Sequence, residues 1–126
     1  MNREEILNLP DEVINTRIAT EWMGWLSFDV KGVKTWFIEE TRDYRLKSEW
    51  SPSTNLSDAM EALEKVKVDK KVSRCIIEIT KEDYFVTVIS PDYFPNDRVI
   101  VKDKSLPKAI CLCILLYLKE RIVVKQ

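Results

Sequence analysis

Helical periodicity is the first pattern along the chain. Asn2, with Glu5 three residues later, has the form of a capping box that opens a short helix. Pro10 interrupts this helix, and Asp11 can cap a second one. Gly24 would supply a left-handed residue where the second helix ends. That helix has an apolar stripe at three- and four-residue spacing, formed by Ile14, Ile18, Trp22 and Trp25.

A period of two replaces the helical period after Trp25. Leu26, Phe28 and Val30 alternate with polar residues, and Lys31-Gly32 follows as a turn, so the pattern predicts a hairpin over residues 26–40. Residues 41–53 are polar and irregular, which predicts a long loop that can contain a short edge strand around residue 44.

The second half of the chain is predicted to contain two more helices, a hairpin and a further strand. Asn55 is expected to cap a helix whose apolar face is formed by Leu56, Ala59, Met60, Leu63 and Val66. A hairpin over residues 72–90 and a strand over residues 99–102 follow. Ser105 then caps a last helix, which is apolar on nearly every side from Ala109 to Leu118 and should therefore be buried all round.

These elements predict an α+β fold, a layered sandwich with a mainly antiparallel sheet and a buried C-terminal helix. The 126 residues suffice for one domain, 1–126. The last helix could be buried between layers of the fold or across a subunit interface, and the second arrangement would make the protein a homodimer or a higher homo-oligomer. No targeting segment is visible, and the longest apolar run is about half of what is needed to span a bilayer.

Composition removes several classes of function. Apolar residues make up 45% of the chain, charged residues 33%, and the net charge is −1, which argues against non-specific DNA binding and against attraction to membranes. The chain has no His, so nucleophile pairs that rely on an imidazole are impossible. Three Cys are expected to be reduced core thiols rather than metal ligands. We expect no cofactor, no metal and no catalytic residue, although Asp29-Val30-Lys31 and Asp69-Lys70-Lys71 keep open a small metal-dependent hydrolase.

Two predicted helix N-termini are preceded by hydroxyl side chains. Ser53 and Thr54 precede the helix at Asn55, and Ser105 precedes the last helix, with Lys108 in its first turn. Free backbone N–H groups and the helix dipole favour phosphate or carboxylate at such ends. The alternative is that these residues are ordinary caps.

Aromatic and basic residues accompany these helix ends in the loops. Trp50 and Tyr93 could stack on a base, or they could cover an edge of the core. Arg42, Arg45 and Lys47 form a basic cluster in the long loop, either as solvated surface or as a lid over an anionic ligand.

Several short motifs, in this order and spacing, resemble the phage ABA sandwich domain family. They are Asn2-Arg3-Glu4-Glu5-Ile6-Leu7, Trp22-Met23-Gly24-Trp25, Ser53-Thr54-Asn55-Leu56 and Leu106-Pro107-Lys108-Ala109-Ile110-Cys111. The resemblance covers nearly the whole chain and implies an α/β/α sandwich. It also implies a bacteriophage or prophage protein that acts in the cytoplasm of the infected host bacterium. It supplies no catalytic residues.

Two functions from different classes are therefore expected. The first is a non-catalytic phage accessory protein that binds a nucleotide-like anion, for example to sequester a host antiviral signal, through Trp50, Ser53, Thr54, Tyr93, Ser105 and Lys108. The second is a module that inhibits or modifies a host protein. An exposed apolar patch without a deep polar pocket would favour the second function.

Overall fold

The computed structural model describes residues 1–91 and 98–125, with side chains described as far as residue 120. The helical segments are α1 (Arg3–Leu7), α2 (Asp11–Arg17), a π-helical turn (Ile18–Trp22), a 3-10 turn (Lys47–Glu49), α3 (Leu56–Glu64), a second 3-10 turn (Lys65–Val68) and α4 (Leu106–Lys125). The strands are β1 (Leu26–Val30), β2 (Val33–Ile38), β3 (Asp43–Leu46), β4 (Arg74–Ile79), β5 (Tyr84–Ile89) and β6 (Arg98–Asp103).

The predicted caps mostly form as expected. The Asn2 side chain accepts a hydrogen bond from the Glu5 N–H, and the Glu5 carboxylate accepts one from the Asn2 N–H, so the capping box is complete. Asn55 caps α3 by accepting from the Asp58 N–H. The prediction for α2 is wrong by one residue, because Pro10 is the N-cap and Asp11 is already helical. A proline at this position costs no hydrogen bond, because the N–H groups at the start of a helix have no acceptor within the helix.

The α+β class and the antiparallel strands are confirmed, and the strands divide into two separate sheets. Sheet 1 has the order β1-β2-β3 and sheet 2 the order β4-β5-β6, all antiparallel. The predicted turn of the first hairpin is present, with positive φ at Lys31 (54°) and Gly32 (84°). The polar loop does contain a short edge strand, β3.

The buried C-terminal helix is confirmed. All residues from Ala109 to Leu118 are buried. On one side α4 packs against β5 and β6, and it also contacts α1, α2, α3 and the π-helical turn. Helix α4 thus forms the centre of the core, between sheet 2 and the other helices.

The predicted apolar face of α3 is partly wrong. Leu56 and Met60 are exposed, and the residues that α3 buries completely are Ala59 and Ala62. Small side chains allow α3 to approach α4 closely. The Trp22 indole N–H donates to the Ala62 carbonyl at 2.7 Å, so the π-helical turn also holds this segment.

Sheet 1 has an apolar face directed toward solvent, which we call the outer face of sheet 1. The cross-strand pairs place eight uncharged side chains on it: Leu26, Phe28, Val30, Val33, Thr35, Phe37, Tyr44 and Leu46. Six of them are 39–62% exposed, which is unusual for large apolar residues that lie side by side. The opposite, inner face has Trp36 and Arg45 and is turned toward the rest of the protein.

Candidate functional site

The predicted stacking residue Trp50 is almost completely buried. Its indole N–H donates to the Asn15 carbonyl at 3.1 Å, and its ring lies 4.6 Å from the ring of Trp25. Trp50 therefore connects the loop after β3 with two other segments. One is α2, through Asn15, and the other is the segment before β1, through Trp25. It also lines a cleft, described below.

The two predicted hydroxyl donors before α3 differ in exposure. Ser53 is 2% exposed, and its Oγ has no hydrogen-bond partner among the described residues. Its N–H donates to the Asn15 side-chain oxygen at 2.9 Å, so α2 holds this turn in place. Thr54 is exposed, and its hydroxyl lies 2.6 Å from that of Ser51. Only Thr54 presents its hydroxyl at the surface.

The predicted residues at the start of α4 form a helix cap. Ser105 Oγ accepts from the Lys108 N–H at 3.4 Å, and the Ser105 N–H donates to the Asp103 carboxylate at 2.8 Å. Both residues are half-buried, and neither lines the cleft that contains Trp50. The fourth predicted region, around Tyr93, lies outside the described residues.

A cleft of about 500 Å³ lies between α2, β2 and the 3-10 turn after β3, and we call it the Trp36–Trp50 cleft. Its lining residues are Glu12, Asn15, Thr16, Lys34, Trp36, Lys47, Ser48 and Trp50. The volume is within the range of small-molecule sites. Two lysines oppose a single carboxylate, so the lining has an excess of positive charge.

The lysine side chains of this cleft are held in different ways. Lys47 Nζ lies 4.2 Å from the centre of the Trp36 ring, a cation–π contact, and it also donates to the hydroxyl of Ser27. Among the described residues Lys47 has no carboxylate partner. Lys34 Nζ lies 3.3 Å from the Asp29 carboxylate, but both side chains are mostly exposed, so this ion pair is weak. Both ammonium groups are thus available to an anion.

A second cleft, of about 540 Å³, lies on the other side of Arg45 and is acidic. Its charged lining residues are Glu39, Glu40, Asp43, Arg45, Glu61 and Lys65. The Arg45 guanidinium lies 5.1 Å from the Trp25 ring and 5.3 Å from the Trp50 ring, and it pairs with Glu61 at 3.2 Å. Arg45 therefore lies on β3 and has a structural role, where the sequence predicted a solvated surface or a lid.

Burial controls the chemistry of the thiols. It raises the pKa of Cys75 to about 11 and that of Cys111 to about 12, and it raises the pKa of Cys113 still further. The Cys113 thiol lies 3.4 Å from the Val86 carbonyl, against sheet 2. Within residues 1–91 and 98–125 no three His, Cys, Asp or Glu residues form a group that could hold a metal ion.

The fold defines a class, an α+β domain with two antiparallel sheets and a buried C-terminal helix that packs on the second sheet. Residues 16–113 match the model of the phage ABA sandwich domain, and the chain belongs to that family. It is also similar in fold to a phage protein from Bacillus cereus ATCC 14579, with a TM-score of 0.57, 24% identity, and coverage of 88% of this chain and 89% of the other.

The remaining comparisons add no function. None of the curated proteins compared with the chain matches it. In the described part of the chain, no helix combines the length and the apolar character needed to cross a membrane.

Proposed function

We propose that this phage protein is a non-catalytic accessory protein that binds a small anionic, nucleotide-like ligand in the Trp36–Trp50 cleft. One observation carries the proposal: two lysine ammonium groups and two indole rings line one cleft of about 500 Å³. In the cytoplasm of the infected host such a protein would act as a counter-defence factor by sequestering an antiviral signalling nucleotide.

The lysines would supply the charge and the tryptophans a rigid apolar wall. The ammonium group of Lys47 lies over Trp36, where an arriving phosphate could pair with it without first breaking a carboxylate ion pair. A base would then meet the small parts of the two indoles that line the cleft. The absence of His leaves no imidazole for acid–base turnover, which supports retention of the ligand without chemistry.

This site differs from the set of residues expected from the sequence. Trp50 is shared between the two, and Thr54 lies at the surface of the neighbouring turn. In this proposal Lys34, Trp36 and Lys47 take the role that was expected of Ser105 and Lys108, because those two residues lie at the start of α4 and do not line the cleft.

The test is native mass spectrometry of the protein against a panel of cyclic and linear nucleotides. One retained, unmodified ligand per chain is expected. The double variant Lys34→Ala/Lys47→Ala should bind this ligand at least tenfold more weakly. Lys108→Ala is the control, because it removes one lysine charge at the site that the sequence suggested. Loss of binding in the control alone would move the site to the start of α4, and conversion of the ligand would make the protein an enzyme.

A second function is supported by the outer face of sheet 1. An exposed apolar face of this kind is typical of protein–protein contact. If no second copy of the chain occupies it, it would suit a module that inhibits or modifies a host protein. Failure of every nucleotide to bind, together with capture of one defined host protein that a charged substitution at Leu26 abolishes, would favour this function over ligand binding.

A further inference from the structure

We propose that the outer face of sheet 1 is the contact surface for a second copy of this chain, in a two-fold symmetric dimer. The inference is independent of the proposed ligand, because the Trp36–Trp50 cleft contains Lys34 and Trp36 from the opposite face of the same sheet. The chemistry of the outer face of sheet 1 alone identifies the partner as a second copy of this chain.

The surface is continuous and uncharged across all three strands. Leu26, Phe37 and Tyr44 form one cross-strand row, and Phe28, Thr35 and Leu46 form the next. Val30 and Val33 extend it to the hairpin end. The exposure of its side chains shows that no helix among the described residues covers this surface.

Aromatic rings give the surface a rigid centre. Phe28 and Phe37 are in edge contact at 5.8 Å between ring centres, and Phe37 and Tyr44 are tilted against each other at 5.1 Å. This ladder joins β1, β2 and β3, so its members have little freedom left to lose on association. Aromatic residues preorganised in this way are typical anchors of protein interfaces.

The exposed area is sufficient for a dimer. Six side chains that are 39–62% exposed leave on the order of 500 Å² of mostly apolar surface on each copy. Two such faces would bury about 1,000 Å² before any rim contact is counted, which reaches the size of a specific interface. Face-to-face packing of two sheets at about 10 Å is a standard way to cover surfaces of this shape.

The distribution of charge favours a second copy over a charged partner. The charged side chains of β1–β3, among them Asp29, Lys34 and Arg45, lie on the inner face or at its rim, so the outer face offers no ion pair to a foreign protein. In a two-fold contact the same surface patch of both copies comes together, so a charge on it can face its own like charge. The outer face of sheet 1 has no charge, so this repulsion is absent. The outward side of sheet 2 does not satisfy this condition, because Glu78 and Lys102 flank its central strand.

The experiment compares two leucines of equal exposure. Leu26, on the outer face of sheet 1, is 47% exposed, and Leu56, at the start of α3, is 46% exposed. Sedimentation or light scattering of the wild type from low micromolar to about 100 µM should give a dimer. Leu26→Glu should shift the protein to monomer by weakening association at least a hundredfold, whereas Leu56→Glu should remain dimeric.

A second variant guards against local misfolding. Leu46→Glu changes the neighbouring row on β3, and both glutamate variants must retain the wild-type circular dichroism and thermal transition. Folded, monomeric Leu26→Glu and Leu46→Glu together with a dimeric Leu56→Glu support the proposal. A wild type that is monomeric at about 100 µM, or a dimer that survives both substitutions, would overturn it. Ligand binding by native mass spectrometry is measured on the same samples, so a failure of either proposal is seen separately.

Discussion

The two sheets of this protein have opposite relations to its core. Sheet 2 directs Val86, Val88, Val99 and Val101 at α4, and all four are buried. Sheet 1 directs its apolar outer face at solvent, and Trp36 and Arg45 lie on the side of the core. The same alternation of apolar and polar residues therefore serves a covered face in one sheet and an open face in the other.

The difference follows from what is available to cover each sheet. Helix α4 is apolar on all sides, so it can pack on sheet 2 with one side and on α3 with another. The inner face of sheet 1 instead meets side chains of the segments next to the strands through cation–π contacts. Trp25 and Trp50 contact Arg45 of β3, and Lys47 contacts Trp36 of β2. A sheet held in this way does not need an apolar inner face, and its apolar side chains remain for a partner.

The strongest test of this comparison places one charge on each sheet. Val86→Asp buries an unpaired carboxylate against α4 and should reduce the free energy of unfolding by several kcal/mol, on the order of 4, which is enough to unfold many domains of this size. Val33→Asp, on the outer face of sheet 1, should leave the folded monomer within about 0.5 kcal/mol of the wild type. Urea denaturation at low protein concentration measures both. Equal losses would show that the outer face is buried in the monomer.

Thiol reactivity sharpens the same comparison. Burial raises the pKa of Cys75 from 9.0 to about 11, which lowers its thiolate fraction at pH 8 roughly 100-fold, and Cys111 is affected more strongly. Both should resist iodoacetamide until the protein is unfolded. A thiol introduced by Val33→Cys should react at the rate of a free cysteine in dilute solution. Mass spectrometry of the alkylated peptides gives each rate, and fast labelling of native Cys111 would contradict the packing of α4.

Local interactions explain what the sequence could predict. The capping box of Asn2 and Glu5, the Asn55 and Ser105 caps and the Lys31-Gly32 turn each depend on residues within about four positions of one another. The burial of α4 was equally predictable, because a helix without a polar side has no other stable environment.

Contacts between distant segments explain what the sequence could not predict. Alternation in β1 and β2 separates two faces but does not say which one meets the core, since that depends on what packs there. Arg45 is held by Trp25 and Trp50, and the turn at Ser53 is held by Asn15 of α2. The density of Trp around the basic loop was the only local signal for the Arg45 contacts.

The smallest expected effect concerns how sheet 1 is held to the core. Arg45→Ala removes the contacts with Trp25 and Trp50 and the ion pair with Glu61, so it should lower the free energy of unfolding by about 1–2 kcal/mol. Arg45→Lys keeps the charge but not the planar group, and it should recover less than half of this loss. Lys34→Ala is the control, because this mostly exposed side chain should contribute less than about 0.5 kcal/mol. Urea denaturation followed by tryptophan fluorescence reports on both the stability and the indoles. If Arg45→Ala were as mild as Lys34→Ala, the cation–π contacts would not be what holds sheet 1, and the inner face would need another explanation.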